Sequence, residues 1–341
     1  MGDTGVAPPF PTPQLFTIVA LETFFTPLPE LTVPSPHSFK LIAYDKTPPG
    51  DVASRIQDAD IVVTTTVPIR ADALAAERSP KLKLIAVLAS GTDSIDLAAC
   101  AARGIRVLNS PNCNTDAVAE HAVALYFTVR RSIVPTMLDL RAGEWPRRGT
   151  LMKATYQAQE PPRGCKNETV VIIGNGGVGR HMTRLFSALG MKVVIAGRKG
   201  AGDQSGRVGF EEGLKMASVI AVSCPRTPET LGLISDPELS MMKPDALLVN
   251  VSRGGIVDED AVLRALKDGR IAGAATDVFE KEPASPETSS LLRGDTEGLN
   301  LVTTPHTAWI GSETTEKYQQ VLQENIDGFI LGAIQDDRIK A

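Results

Sequence analysis

Cysteine is scarce in this 341-residue sequence: Cys100, Cys113, Cys165 and Cys224 stand 13, 52 and 59 residues apart. None belongs to a C-x-x-C pair or to a Cys/His set with ligand spacing, so no disulfide framework and no metal centre is expected. So sparse a set reads as reduced intracellular thiols. A basic excess is also missing. The 35 Lys and Arg are outnumbered by 40 Asp and Glu, a net charge of −5, which argues against nucleic acid or an anionic membrane surface as partner. No apolar run approaches the 18 residues of a membrane span. No Lys or Arg precedes Lys40, where a signal or transit peptide would need one. The expectation is a cytoplasmic protein. Histidine is limited to four positions, so any imidazole chemistry must use His37, His121, His181 or His306.

What is present is ordinary globular material, 43% apolar and 22% charged. At about 150 residues per domain, the length implies two domains. Ten of the 24 prolines fall in the first 49 residues, which reads as a wrapped or partly mobile arm. Beyond it, short β-branched or Leu-rich runs at 39–44, 61–66, 82–88 and 106–108 alternate with helical patterns at 51–57, 71–78 and 96–102. Such alternation implies parallel βαβ units. Residues 116–131 form a longer helix, apolar nearly all round, which predicts burial at a domain or subunit boundary. A polar stretch follows over 141–168. Alternation then resumes with strands at 169–173, 192–196, 219–223, 246–251, 271–276 and 301–303, helices at 178–189 and 259–268, and a last helix near 312–331.

The string Gly174-Asn175-Gly176-Gly177-Val178-Gly179 is a G-x-G-x-x-G. It follows the apolar run Val170-Val171-Ile172-Ile173 and opens a helical pattern that ends at Gly190, the setting a dinucleotide fingerprint requires. Gly174 permits the tight turn, Gly176 lets the backbone approach a pyrophosphate, and Gly179 lets helix and strand pack closely. About 20 residues on, an acid would bind the adenine ribose 2′-hydroxyl. Here the strand ends Ala196-Gly197-Arg198-Lys199, and the nearest acid, Asp203, lies well past it. Arg198 can fork onto a 2′-phosphate and Lys199 can add a point charge, which favours NADP(H) while leaving NAD(H) possible. The alternative is that both are solvated loop charges.

Arg253, Glu282 and His306 each follow a predicted strand, the end of an open α/β sheet where ligands bind. Arg253 can hold the carboxylate of a 2-oxo acid as a bidentate fork. His306 suits protonation of the carbonyl oxygen, and Glu282 would favour its imidazolium. His37, His121 and His181 read as structural or solvated. Trp309 fits either core packing or a pocket wall.

Past the N-terminal arm, the sequence resembles the D-isomer-specific 2-hydroxyacid dehydrogenase family. The matching segments are Gly91-Thr92-Asp93-Ser94-Ile95-Asp96, Asn114 to His121, the glycine fingerprint, Cys224-Pro225-Arg226-Thr227-Pro228-Glu229-Thr230, Asn250 to Gly255, Asp277-Val278-Phe279 and Pro305-His306. The resemblance implies two doubly wound parallel-sheet α/β domains, Rossmann-like or flavodoxin-like, with a cleft between them. Residues 1–113 and 311–341 would form a discontinuous substrate-binding domain, and 114–310 the dinucleotide-binding domain. It gives Arg253, Glu282 and His306 their catalytic roles. It implies a cofactor surface of Gly174, Gly176, Gly177, Val178, Gly179, Arg198, Lys199, Cys224, Pro225, Thr230, Val251, Ser252, Asp277 and Thr115, with Asp277 and Ser252 at the nicotinamide end. For the substrate it implies Ala89, Ser90 and Gly91, with Arg253, His306 and Trp309. It further implies a homodimer, with the helix from Asp116 as candidate contact. The missing NAD-type Asp departs from the family's usual pattern and is shared by NADP-using glyoxylate reductases. The expected activity is hydride transfer between NADP(H) and a small 2-oxo or 2-hydroxy acid, most like a glyoxylate or hydroxypyruvate reductase. A dehydrogenase for bulkier oxo acids and a dinucleotide-sensing corepressor-like protein are the alternatives.

Overall fold

The computed structural model describes residues 9–202, 205–334 and 338–340. Asp203 lies outside them. The chain divides into two compact units, Met1–Asn114 with Gly311–Ala341, and Thr115–Ile310. The second unit is thus an insertion in the first.

In the first unit, β1 (Leu15–Ala20), β2 (Ser38–Ala43), β3 (Ile61–Thr64), β4 (Leu84–Val87) and β5 (Arg106–Leu108) form a parallel sheet in the order β2-β1-β3-β4-β5. Helices α1 (Val52–Ile56) and α2 (Leu97–Ala102) lie along its crossovers. β3 and β4 are buried throughout, as their unbroken apolar runs require of interior parallel strands. The Asp96 carboxylate caps α2 by accepting the Ala99 N–H at 2.9 Å.

Two expectations fail here. The Pro-rich N-terminal stretch is no mere arm, because β1 sits between β2 and β3 with Ile18 paired to Ile61. The prolines flank the proline-free segment Leu-Phe-Thr-Ile-Val-Ala and leave its ladder intact. Residues 71–78, predicted as a helix, form a chain of turns. That segment is pinned at one end by a parallel bridge between Ile69 and Ile95 and meets Pro80 soon after the other. Pro80 disfavours helical dihedrals at the residue before it, and the turns place Ala73 and Leu74 in the unit's apolar core.

The second unit begins with α3 (Thr115–Arg130), α4 (Ile133–Arg141) and α5 (Glu144–Arg148), the last lying within the polar stretch 141–168. There follow β6 (Thr169–Ile173), α6 (Gly177–Ala188), β7 (Lys192–Ile195), α7 (Phe210–Met216), β8 (Val219–Val222), α8 (Asp236–Met241), β9 (Leu247–Asn250), α9 (Glu259–Lys267), β10 (Gly273–Thr276) and β11 (Leu301–Thr303). The six strands are parallel in the order β11-β10-β9-β8-β6-β7. One face packs on α7, α8 and α9, the other on α3 and α6. Strand order reverses between β6 and β8, the switch point at which such sheets bind ligands.

The apolar residues of α3 pack on its own sheet and on α6. Its last residue, Arg130, is 1% exposed. The guanidinium donates to Gln157 Oε1 at 2.5 Å and to the Ser218 and Asp245 carbonyls at 3.1 Å, and it pairs with buried Glu168 at 2.6 Å. The chain then returns to the first unit as α10 (Ser312–Leu331), which buries Leu322, Ile326, Phe329 and Ile330. Asn325 of α10 donates to the Asn109 carbonyl just past β5 at 3.1 Å. Among the described residues, no helix is long and apolar enough to cross a membrane.

Candidate active site

The glycine fingerprint joins β6 to α6, and each glycine answers a different constraint. Gly174 has φ +110°, and a Cβ there would lie 2.6 Å from the Cys224 amide nitrogen, so the turn is pressed against the end of β8. At Gly179 a Cβ would meet the Gly174 carbonyl oxygen at 2.2 Å, which only a glycine avoids. Gly176 differs: a Cβ there would meet nothing within 4 Å. It is the N-cap of α6, and no side chain caps the helix, so the first N–H groups, of Gly177, Val178 and Gly179, are left outside the intrahelical ladder. An open cradle with uncapped donors fits a pyrophosphate.

β7 leads to Gly197, Arg198 and Lys199. The Lys199 ammonium is held by Glu238 at 2.8 Å, and Glu238, 4% exposed, also closes the capping box of α8 by accepting the Ser235 N–H at 3.0 Å. Releasing Lys199 would leave that buried carboxylate without its cation. Past β8, burial pushes the Cys224 thiol up to about 11. The loop after Pro225 is closed by the Thr230 hydroxyl, which donates to the Pro225 carbonyl at 2.8 Å and accepts the Thr227 N–H at 2.7 Å.

β9 ends at Asn250, whose side chain organises the loop of Val251, Ser252 and Arg253. Its Oδ1 accepts both the N–H and the hydroxyl of Ser252 at 3.1 Å, and Arg253 Nη1 donates to the Ser252 carbonyl at 2.8 Å. Gly254 brings this loop against the next one, since a Cβ there would overlap the Phe279 carbonyl at 1.8 Å.

β10 leads to Asp277 and on to Glu282, and β11 leads to His306. The Nδ1 of His306 and Oε2 of Glu282 are 2.6 Å apart. Glu282 Oε1 accepts the Phe279 N–H at 2.8 Å. Burial raises the Glu282 carboxyl, but the hydrogen bond and charge of His306, the Phe279 N–H and the Arg253 charge outweigh it, so the group lies below the ordinary glutamate range. His306 has φ +54°, a left-handed conformation that costs a β-carbon residue about 1–3 kcal/mol and persists only where its surroundings enforce it. Asp277 enforces it. The His306 N–H donates to the Asp277 carbonyl at 2.8 Å, while the carboxylate accepts the Thr307 and Ala308 N–H groups at 2.9 Å each. Asp277 is 1% exposed, and its carboxylate also accepts the Thr304 hydroxyl at 2.5 Å.

Gly174, Cys224, Arg253, Asp277 and His306 therefore follow five adjacent strands and line one edge of one sheet. Thr115 opens α3 in the same unit. Trp309 is half-buried and packs on the apolar cluster shared with α3. Ala89, Ser90 and Gly91 follow β4 in the first unit, where Ser90 Oγ bonds Asn114 Oδ1 at 3.1 Å and the Asn109 amide donates to the Ser90 carbonyl at 2.6 Å. Sequence reasoning missed Asn250, Glu238 and Thr304. A polar residue closing the buried run Leu-Leu-Val-Asn could have marked Asn250, whereas nothing local marks Glu238.

The family model for the NAD binding domain of D-isomer specific 2-hydroxyacid dehydrogenases matches residues 123–308, more than half of the chain. The protein belongs to this family. Relatives of this dehydrogenase include a glycerate dehydrogenase of Methylorubrum extorquens, 39% identical over 88% of this chain and 92% of its own. A glyoxylate reductase of Thermococcus litoralis is 36% identical over 85% of this chain and 86% of its own. Among solved structures, an NADPH-dependent glyoxylate/hydroxypyruvate reductase of Sinorhizobium meliloti matches with a TM-score of 0.73 and 26% identity, covering 92% of this chain and 94% of its own. The dehydrogenase fold of two parallel-sheet α/β units and the hydroxyacid oxidoreductase class stand on these findings together.

Proposed function

We propose that this dehydrogenase is an NADP(H)-dependent reductase of small 2-oxo acids, with glyoxylate and hydroxypyruvate as its best substrates. The observation that carries the reading is the His306–Glu282 pair at 2.6 Å on the same sheet edge as the uncapped start of α6. A nicotinamide dinucleotide bound along that edge supplies the hydride. Because Nδ1 of His306 faces Glu282, Nε2 is the nitrogen left to protonate the substrate oxygen as the carbonyl becomes a hydroxyl. Arg253 binds the substrate carboxylate as a bidentate fork. Pro225, Thr230, Val251 and Ser252 belong to the cofactor surface beside the fingerprint.

The NADP(H) preference is supported by the absence of an acid at the end of β7 and by Arg198 there. Since Lys199 is held by Glu238, Arg198 carries the discrimination and Lys199 fixes the turn. The names of the relatives, a glycerate dehydrogenase and glyoxylate reductases, support the substrate class. The reading includes a cytoplasmic homodimer with no nucleic-acid or membrane partner. Its contact lies on the second unit, where Ile133, Leu138 and Leu140 of α4 and Trp145 of α5 are exposed.

The test follows nicotinamide absorbance with NADH and NADPH against glyoxylate, hydroxypyruvate, phenylglyoxylate, a branched 2-oxo acid and oxaloacetate. NADPH with glyoxylate or hydroxypyruvate is expected to give the highest kcat/KM. Arg198→Asp should lower the NADPH/NADH preference at least about tenfold, since charge-assisted contacts are each of order 1.5–3 kcal/mol. Lys199→Met should change it far less. A wild type that prefers NADH refutes the cofactor reading, and one that prefers the bulky oxo acids refutes the substrate reading.

A further inference from the structure

His121 lies on α3, far in sequence from His306, yet hydrogen bonds connect the two. The Thr304 hydroxyl donates to Asp277 Oδ1 at 2.5 Å. Nε2 of His121 lies 3.0 Å from Thr304 Oγ1 and 3.6 Å from the same Asp277 oxygen. A threonine hydroxyl has one proton, and here it points at a carboxylate that accepts two backbone N–H groups as well. Oγ1 can therefore meet His121 only as an acceptor, and Nε2 of His121 must carry a hydrogen. Asp277 in turn sets the left-handed turn at His306 through its carbonyl and carboxylate.

We infer that His121 is a positioning residue for the acid His306. As an N–H donor it fixes the Thr304 hydroxyl, the hydroxyl fixes the Asp277 carboxylate, and the carboxylate holds the turn that aims the His306 ring. The kinetic part of this inference rests on the proposed reductase activity. Small displacements of a reacting group are enough to lower turnover strongly, so the relay acts on kcat without touching substrate.

The experiment compares His121→Leu, which removes the donor, with His121→Gln, which retains one. His121→Leu should lower kcat tenfold or more, with NADPH affinity and the unfolding midpoint close to wild type. His121→Gln should stay within about threefold of wild type. Thr304→Val against Thr304→Ser interrupts the same relay from its other side and decides the matter if His121→Leu does not fold. Independently of turnover, the downfield proton resonance of His306 Nδ1–H, identified by its absence in His306→Gln, should persist in His121→Gln and broaden or vanish in His121→Leu. Wild-type kcat in both His121→Leu and Thr304→Val overturns the inference. So does equal damage from Leu and Gln, or a parallel loss of kcat, cofactor affinity and stability, which marks a merely structural role. A wild type inactive toward every oxo acid defeats the substrate reading instead, and the His306 resonance then decides the relay alone.

Discussion

A hydrogen bond of 2.6 Å between His306 Nδ1 and Glu282 assigns one ring nitrogen to the carboxylate and the other to chemistry. His306→Gln keeps a polar side chain but not a proton donor, so kcat should fall by roughly 100- to 10,000-fold with NADPH binding nearly intact. Retention of more than about a tenth of the activity would mean another acid acts. Glu282 adds a pH dependence whose sign follows from its depressed pKa. The fold favours the ionised form, so its contribution is complete above the ordinary value of about 4.3 and is lost as pH falls below that through the lowered value. No acid limb due to Glu282 should appear in kcat/KM between about pH 5 and 7. An acid limb centred in that window and abolished by Glu282→Gln would contradict the pairing. Arg253, Glu282 and His306 could be picked out as candidates in the sequence because each lies within a few residues of the end of a strand-like run. Glu238 could not, since it meets Lys199 across 39 residues and only packing of α8 near the end of β7 brings them together.

Strands with continuous apolar runs were found within a residue or two, because a strand buried on both faces must read that way. Elements whose identity depends on neighbours were misread. β1 is flanked by prolines and looks like coil until β2 and β3 pair with it. Residues 71–78 have helical composition but form turns between the bridge at Ile69 and Pro80, with Ala73 and Leu74 packed into the core. Gly254 shows contact between loops that no local pattern announces. Its sequence, Arg-Gly-Gly, reads as a flexible turn, yet the constraint is the Phe279 carbonyl at 1.8 Å from a would-be Cβ. Gly254→Ala must separate the Arg253 loop from the Glu282 loop. The expected cost is of the order of 1–3 kcal/mol in stability, as for overpacking, together with a clear loss of kcat/KM. Urea denaturation and steady-state kinetics check both. Wild-type turnover in this variant would mean that the two loops work independently.

For the whole molecule, the exposed apolar side chains of α4 and α5 bear on assembly. Leu138 and Trp145 are each about half exposed, on short helices that bury no residue fully. Clusters of this kind mark contact surfaces. Light scattering after gel filtration should report a dimer at micromolar concentration, and Leu138→Asp with Trp145→Glu should shift it toward monomer. A monomeric wild type would refute the assembly proposal. The same region shows where sequence reading stops. Helix α3 is apolar nearly all round, and its buried side chains enter the core of the second unit against the sheet and α6. Composition records that a side chain must leave water, not which surface receives it. By itself the sequence determined the alternating α/β order, the glycine turn and the Arg, Glu and His that end neighbouring strands, because period, turn chemistry and strand-end position are local properties. Only the tertiary structure decided that Lys199 is held by Glu238, that Asp277 sets the turn at His306, and that His121 reaches it through Thr304. Each of those depends on which distant groups share a buried space, and a chain read residue by residue does not contain that information.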